Sequence, residues 1–485
     1  MIRGSVSLEM LEGGLTYHGL RSYGRETLNG YEDAKPQYDA QTNRWSSVES
    51  NRSNAWNCNF NDGNLNNNNK YNRFRVRPVV AYDTPADFLN LVFAAFHDCC
   101  RTKRTSAECI AYCERAQQDL PLLAHELYTG TYQPGPSTCF LVKYPKYREV
   151  FAAGFRDRIV HHFIYLLLNP CFEERFVAQG NVSFNCRKGF GTLAAQQAAF
   201  EAIRTATDNY RTPAVVYRGD LVSFFMSIDK RILWGRLEPF IHEEYHGPYL
   251  TQLLTVTRTV VFHCPEKNCL FSTDPAEWAL HVPVHKSLFT NGDSFGMPIG
   301  NLTTQIFANF LMSFFDEFVI RWMKGHGLDV HYVRFVDDFL FICRNKHLLK
   351  CLIADAAVFL QSELGLTLHF DKHHFQPAAH GVLFVVGAYL KNWRMYLSGR
   401  TVARFIERMH GFDGMLLNKQ CITLADTQRM EQVVNSYLGF LNGKRTYNIR
   451  RAALAAMCPR FYDHAYIRGR YTSIRSRRRL KTASL

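Results

Sequence analysis

Apolar residues recur at spacings of three and four at Phe88, Leu91, Val92, Ala95 and Phe96, which predicts helices across residues 85–130. Turn formers follow at Gly130, Pro134, Gly135 and Pro136. From Cys139 to Val150 the pattern suits a strand hairpin turning near Pro145 and Lys146, and a helix is expected from Arg156 to Asn169, stopped by Pro170. Val215-Val216-Tyr217 is a short strand-like run. Ile299 to Met323 has a long helical pattern, Val330 to Cys343 predicts two strands about a tight centre, and Ser398 to Met457 is helical again. Strands and helices alternate without a regular repeat, so an α+β layout is expected rather than a solenoid.

With 47% hydrophobic and 14% aromatic residues, the 485-residue chain is too apolar to be disordered. Lys and Arg number 57 against 43 Asp and Glu, a net charge of +14 that points to an anionic partner, nucleic acid before an acidic membrane surface. No run approaches the ~18 apolar residues of a membrane span, and Met1-Ile2-Arg3-Gly4-Ser5-Val6 opens no signal region. A cytoplasmic protein without membrane partners is therefore expected, its 14 cysteines free thiols. Asn51 to Asn72 holds 11 asparagines in 22 residues and cannot bury a core of its own, although Trp45, Trp56 and Phe60 are unusual in a linker. At the other end, Arg468 to Lys481 carries seven basic residues and no acid, suited to RNA phosphates or simply to solvent.

The chemistry-bearing signal is Tyr332-Val333-Arg334-Phe335-Val336-Asp337-Asp338-Phe339-Leu340-Phe341-Ile342, an acidic pair inside strand-type sequence. Two carboxylates ~4 Å apart repel by about 4 kcal/mol at an effective dielectric of about 20, so a cation should neutralise them. Successive strand residues face opposite ways, and only a tight turn lets both serve one site. Asp220 ends a second apolar run. Oxygen ligands from Asp220 and Asp337 suit Mg²⁺, and a pair of such ions permits two-metal phosphoryl transfer. Taken alone, an Asp-Asp pair is more often a solvated turn.

The wider pattern is more specific. Asp220-Leu221-Val222-Ser223-Phe224-Phe225, Gly300-Asn301-Leu302-Thr303-Thr304-Gln305 and Phe335-Val336-Asp337-Asp338 stand in the order of polymerase palm motifs. Before them come Arg148-Glu149-Val150, Phe155-Arg156-Asp157-Arg158-Ile159-Val160-His161-His162 and Arg187-Lys188-Gly189-Phe190-Gly191-Thr192. After them come Leu364-Gly365-Leu366-Thr367-Leu368, Lys372, Gly381 and Gly387. Over roughly residues 85 to 400 the chain resembles reverse transcriptases. It is most similar to those of diversity-generating retroelements, because Ile299 and Gln305 stand where most reverse transcriptases carry Gln and Pro. Phe335 for the usual Tyr, and Thr304 for the usual Ser, depart from the pattern while keeping an aromatic body and a hydroxyl.

The resemblance implies a right-hand polymerase of α+β class, with fingers, a palm whose small antiparallel sheet packs on helices, and a helical thumb. The boundaries it implies are an Asn-rich extension (1–80), N-terminal helices and fingers (81–214), palm (215–397, with a connector at 255–292), thumb (398–457) and basic tail (458–485). Asp220, Asp337 and Asp338 would be catalytic, with Asp220, Leu221, Asp337 and Asp338 around two Mg²⁺ ions. Arg148 and Lys146 would hold the triphosphate, with Lys143 an alternative to Lys146. Phe225 would exclude a ribose 2′-hydroxyl, where an isolated Phe is usually core, and Lys372 would be a general acid, where a plain surface Lys is as good a reading. Arg156, Arg158, Arg187 and Lys188 would contact nucleic acid, the first two alternatively pairing with Asp157 and Glu173. Ile299 and Gln305, on the palm helix, would relax the geometric check on the new base pair and permit errors opposite template adenines.

Implied partners are a template-repeat RNA, its cDNA, deoxynucleotides and a small basic helical-bundle accessory protein, in a prokaryotic or phage-encoded setting. Trp45-Ser46-Ser47 through Arg75-Val76-Arg77-Pro78 resembles the end of a C-type-lectin-like target protein, so a translated template repeat is weighed there against a polar linker. Asp229 is expected as a helix cap, and Gly189 and Gly191 as a tight loop into a helix. Cys264, Cys269, His281 and His285 have near zinc-finger spacing, but zinc is not the favoured reading. The alternatives are a group II intron or antiphage-defence reverse transcriptase, and a non-catalytic RNA-binding scaffold.

Overall fold

The computed structural model describes residues 84–143, 146–327, 329–370, 374–385, 388–391 and 394–477, with short strand segments between residues 38 and 69. Apart from those segments, the expectations for residues 1–80 lie outside the described residues, as do those for Lys372 and Gly387. The chain forms two compact units, residues 1–178, 223–313 and 361–366, and residues 179–222, 314–360 and 367–485.

In the first unit the expected N-terminal helices are α1 (Ala86–Cys100), α2 (Ala107–Cys113) and α3 (Ala116–Thr129). Strands β1 (Ser137–Val142) and β2 (Arg148–Ala152) form the antiparallel hairpin, Cys139 opposite Phe151. Helix α4 (Phe155–Ala178) does not stop at Pro170, contrary to expectation. Proline in a helix interior costs about 3 kcal/mol, whereas each fully buried Phe returns about 1.5–3 kcal/mol. Two buried rings lie beyond Pro170: Phe176, and Phe172, which packs on Phe240 and Phe310 with centroids 5.5 and 4.9 Å away.

Helix α5 (Thr192–Ala206), in the second unit, follows the Gly189 and Gly191 loop, and strand β3 (Val215–Gly219) follows it. The chain returns to the first unit through the short α6 (Phe224–Ser227), α7 (Lys230–Glu244), α8 (Leu250–Phe262), β4 (Cys269–Phe271) and α9 (Pro275–His281). Strand β4 adds in parallel to β1, and Asp229 caps α7 by accepting from Arg231 N–H at 2.8 Å. Helix α10 (Leu302–Gly325) carries the chain on into the second unit.

There, β5 (Val330–Phe335), β6 (Asp338–Cys343), β3 and β7 (His374–Pro377) build an antiparallel sheet in the order β5-β6-β3-β7, with α11 (Lys346–Leu364) between β6 and β7 in sequence. Alternate residues serve opposite faces. Val216, Val333, Leu340 and Ile342 pack with Ala195, Ala199 and Ile203 of α5, while Tyr332 and Phe339 meet Phe315 of α10. Because both faces are covered, Phe339 to Cys343 reads as an unbroken apolar run instead of an alternating one.

Strands β8 (Val382–Phe384), β9 (Ala388–Lys391) and β10 (Arg394–Leu397) form a second antiparallel sheet. Helices α12 (Gly399–Asn418), α13 (Leu424–Leu441), α14 (Tyr447–Ala455) and α15 (Pro459–His464) follow, α13 starting with a capping box between Thr423 and Asp426. Residues in the basic tail fold as the hairpin β11 (Ala465–Arg468) and β12 (Ser473–Ser476). A solvated tail was one reading, but Ile474 is buried with Phe405, Val434 and Phe461, and Glu431 accepts from Ser476. The class is α+β, that of a right-hand polymerase, as expected.

Candidate catalytic carboxylate site

Strand β3 ends at Gly219, which lies opposite Phe339 of β6. A Cβ on Gly219 would come within 2.3 Å of the Phe339 ring, so this position requires glycine. Asp220 and Asp338 are the next residues on the two strands, which brings them to one end of the sheet. Asp337 sits beside them in the two-residue loop closed by the Phe335–Asp338 pair, where Val336 takes the left-handed φ of +60°. The backbone after β3 is also fixed. Asp220 O accepts from His369 N–H at 2.8 Å, Leu221 bridges Leu368, and Val222 N–H donates to Thr367 O at 2.9 Å.

Arg218, two residues before Asp220, donates to both oxygens of Asp338, from Nε at 2.8 Å and Nη2 at 3.1 Å. Burial works against the guanidinium charge, yet the carboxylates of Asp338, Asp220 and Asp337 outweigh it and raise its pKa. Burial also raises the pKa of Asp338, against the pull of Arg218 and the Val385 N–H, with Asp220 adding to the rise. With Asp338 turned to Arg218, the three carboxylates do not gather as a set within 4.8 Å of one another. Three carboxylates against one guanidinium leave an excess of two negative charges when all are ionised, and every donor is a hard oxygen. That donor set fits a divalent cation such as Mg²⁺.

Because the folded-state pKa of Asp338 is raised, its stabilising contribution is full below the unfolded pKa and is lost as pH climbs through the folded one. Arg218→Gln removes the main opposing charge, so we expect Asp338 to ionise at higher pH still. The acid limb of a pH–rate profile for nucleotide addition should move to higher pH in this variant; an unmoved limb would show that Arg218 does not tune the site.

A second buried network holds the turn from beneath. Arg334 of β5 and Asp316 of α10 are fully buried and joined at 2.7 and 2.5 Å, with Tyr332 Oη donating to the same carboxylate at 2.6 Å. The remaining Arg334 Nη1 donates to Val336 O at 3.0 Å, inside the acidic turn itself.

The other expected site residues are distributed as follows. Phe225 on α6 and Ile299 both pack, half-buried, on the cluster of Cys139, Leu141, Phe151, Met226, Trp278 and Leu288. Ile299 was expected on the palm helix, but it precedes α10, held by Phe151 N–H donating to its carbonyl at 2.8 Å. The chain there runs close to β2: a Cβ on Gly300, whose φ is +127°, would lie 2.8 Å from Val150 Cγ1. Gln305 is exposed on the first turn of α10. Arg148 and Lys146 are exposed, while Lys143 pairs with Glu277 at 3.3 Å. Next to Arg148, buried Glu149 accepts from Trp278 Nε1, Ser287 Oγ and Leu288 N–H, which pins the connector to β2.

Several of the expected basic residues have partners inside the fold. Arg156 pairs with Asp119 and Glu126, and Arg158 with Glu108 and the Ala153 carbonyl, in place of the expected Asp157 and Glu173. Asp157 is itself buried and accepts from Tyr132 Oη and Gly135 N–H. Arg187 is buried over the Phe190 ring at 3.9 Å and donates to Ser183 O and Asn181, whereas Lys188 is exposed. The zinc-like quartet is dispersed: Cys269 Sγ is 3.3 Å from Cys139, His281 stacks on Tyr147 at 3.9 Å, and Cys264 groups with Glu266 and Asp293.

The sequence profile of the family described as reverse transcriptase (RNA-dependent DNA polymerase) matches residues 145–441, which takes in all three carboxylates. The chain belongs to this family. No curated protein matches it. Among solved structures, telomerase from Candida albicans in complex with a fragment of telomeric RNA is 12% identical, with 69% of this chain and 57% of that one covered and a TM-score of 0.37. Apo telomerase from Candida tropicalis is 14% identical, with 66% and 56% covered and a TM-score of 0.41. The chain thus spans about 57% of the length of the first of these relatives.

The carboxylate site has neighbours that sequence reading missed. Arg218 shares its strand face with Val216, two residues away, and the alternation Val216, Arg218, Asp220 could have revealed it. Asp316 carried no such signal, because it sits within the apolar pattern of α10.

Proposed function

We propose that this reverse transcriptase copies a template-repeat RNA into cDNA with errors at adenines. What carries the reading is the packing of Ile299 on the apolar cluster that also supports Phe225. A Gln at that place would present an amide able to hydrogen-bond, and burying it unpaired would cost about 1–3 kcal/mol. Ile offers contact alone. The residue that departs from the common reverse transcriptase pattern therefore touches the support of the aromatic ring proposed to face the incoming sugar.

In this reading Asp220 and Asp337, with Leu221 beside them, hold divalent ions, which when bound supply activation of a 3′-hydroxyl and stabilisation of the departing pyrophosphate. Asp338, held by Arg218, completes the acidic cluster and fixes the turn. Phe225 excludes a ribose 2′-hydroxyl, exposed Arg148 and Lys146 meet the triphosphate, and Lys372 gives the leaving group a proton. Exposed Lys188 is the basic residue of the Arg187-Lys188 pair left to meet nucleic acid. A small basic accessory protein and a cytoplasmic, prokaryotic or phage-encoded setting belong to the same proposal.

The test is Ile299→Gln with Gln305→Pro, read by sequencing cDNA from a template rich in adenine. Regaining one hydrogen bond, worth about 0.5–1.5 kcal/mol, should cut adenine misincorporation by up to roughly tenfold. Unchanged adenine errors sink the mutagenic reading, and a protein that binds RNA yet extends no primer is a scaffold.

A further inference from the structure

Cys100 closes α1, and Cys109 and Cys113 lie one helical turn apart on α2. Their three sulfurs are within 4.8 Å of one another, and Cys109 and Cys100 Sγ are 3.4 Å apart. The geometry has a local origin. Eight residues separate Cys100 from Cys109, enough to reverse direction, and Ser106 starts α2 by accepting from Cys109 N–H at 3.3 Å. The i,i+4 spacing then places Cys113 over the same helix face as Cys109.

Buried cysteines ordinarily act as small apolar residues, which requires no convergence of three sulfurs. Tetrahedral zinc–thiolate bonds of ~2.3 Å, by contrast, set ligand sulfurs ~3.8 Å apart. The present spacing is close to that. The set is three soft sulfur donors with no acidic residue among them.

We propose that Cys100, Cys109 and Cys113 form a three-thiolate site for a soft divalent cation, Zn²⁺ foremost, with water in the fourth position beside half-buried Cys113. On binding, three S–H bonds are replaced by three metal–sulfur bonds and up to three protons pass to solvent. The ion ties the end of α1 to α2. Tyr112 of α2 packs at 5.1 Å on Phe155, the first residue of α4, and Glu108 pairs with Arg158, so the staple braces the helices before the polymerase motifs. None of this depends on the activity or template proposed above.

The experiment is metal analysis of the full-length protein purified without chelator, together with Cys109→Ser/Cys113→Ser and Cys264→Ser variants. We expect about one zinc per chain in the wild type and in Cys264→Ser, falling to background in the double variant. Zinc at background in the wild type overturns the proposal, as does zinc retained by the double variant or lost from Cys264→Ser. If the double variant does not fold, Co²⁺ added to the wild-type chain decides. A near-ultraviolet sulfur-to-cobalt charge-transfer band, displaced by equimolar Zn²⁺, supports the site, and its absence, or a Cys100–Cys109 disulfide in the isolated protein, refutes it.

Discussion

Asp337→Asn is expected to lower single-nucleotide extension by roughly a thousandfold, the several kcal/mol that metal-held charge stabilisation contributes to phosphoryl transfer. Asn keeps the shape of the side chain in a two-residue loop that the Phe335–Asp338 pair already closes. Stability should move the other way, or not at all. Asp220, Asp337 and Asp338 all attract the one Arg218 guanidinium, and three like charges sharing a single counter-charge repel one another, so removing one relieves repulsion among the carboxylates. The signature is therefore lost extension with an unchanged or raised urea midpoint, and Asp220→Asn should behave alike. Extension within tenfold of wild type in both variants would remove these carboxylates from the chemistry.

The largest effect on stability is expected at the pair beneath the turn. Arg334 and Asp316 are both fully buried, so deleting one partner strands a charge, at about 3–5 kcal/mol. Replacing the set together, as Asp316→Leu, Arg334→Met and Tyr332→Phe, should recover most of that loss, since an apolar substitute of similar volume leaves no polar group unpaired. Tyr332 must be included because its hydroxyl donates to Asp316. Extension should nevertheless stay impaired in the triple variant, because Val336 O then loses its Arg334 donor. Urea unfolding beside primer extension separates the two effects. If activity returns along with stability, Arg334 is only a structural residue.

Where chemistry is written locally, the sequence was readable. The strand-type run around Asp337 and the short run before Asp220 fall where their spacing places them. Corrections came where distant partners decide. Pro170 ends a helix by local preference, but Phe172 finds Phe240 and Phe310. The helical pattern reaches back to Ile299, yet close approach to β2 at Gly300 keeps the backbone out of helix until Leu302. Arg156, Arg158 and Arg187 have carboxylate, carbonyl and aromatic partners within the fold that their place in a basic chain does not announce. Arg218 and Asp338 are 120 residues apart, and only the strand register joins them.

Val336 is a β-branched residue held in left-handed geometry, which its own backbone disfavours by about 1–2 kcal/mol. Its carbonyl is gripped by a guanidinium whose counter-charge comes from a separate helix. Excised as a hairpin and grafted onto a foreign scaffold, residues 330–343 would relax toward some other bend and scatter their carboxylates. The turn is portable only together with the buried ion pair that imposes its shape.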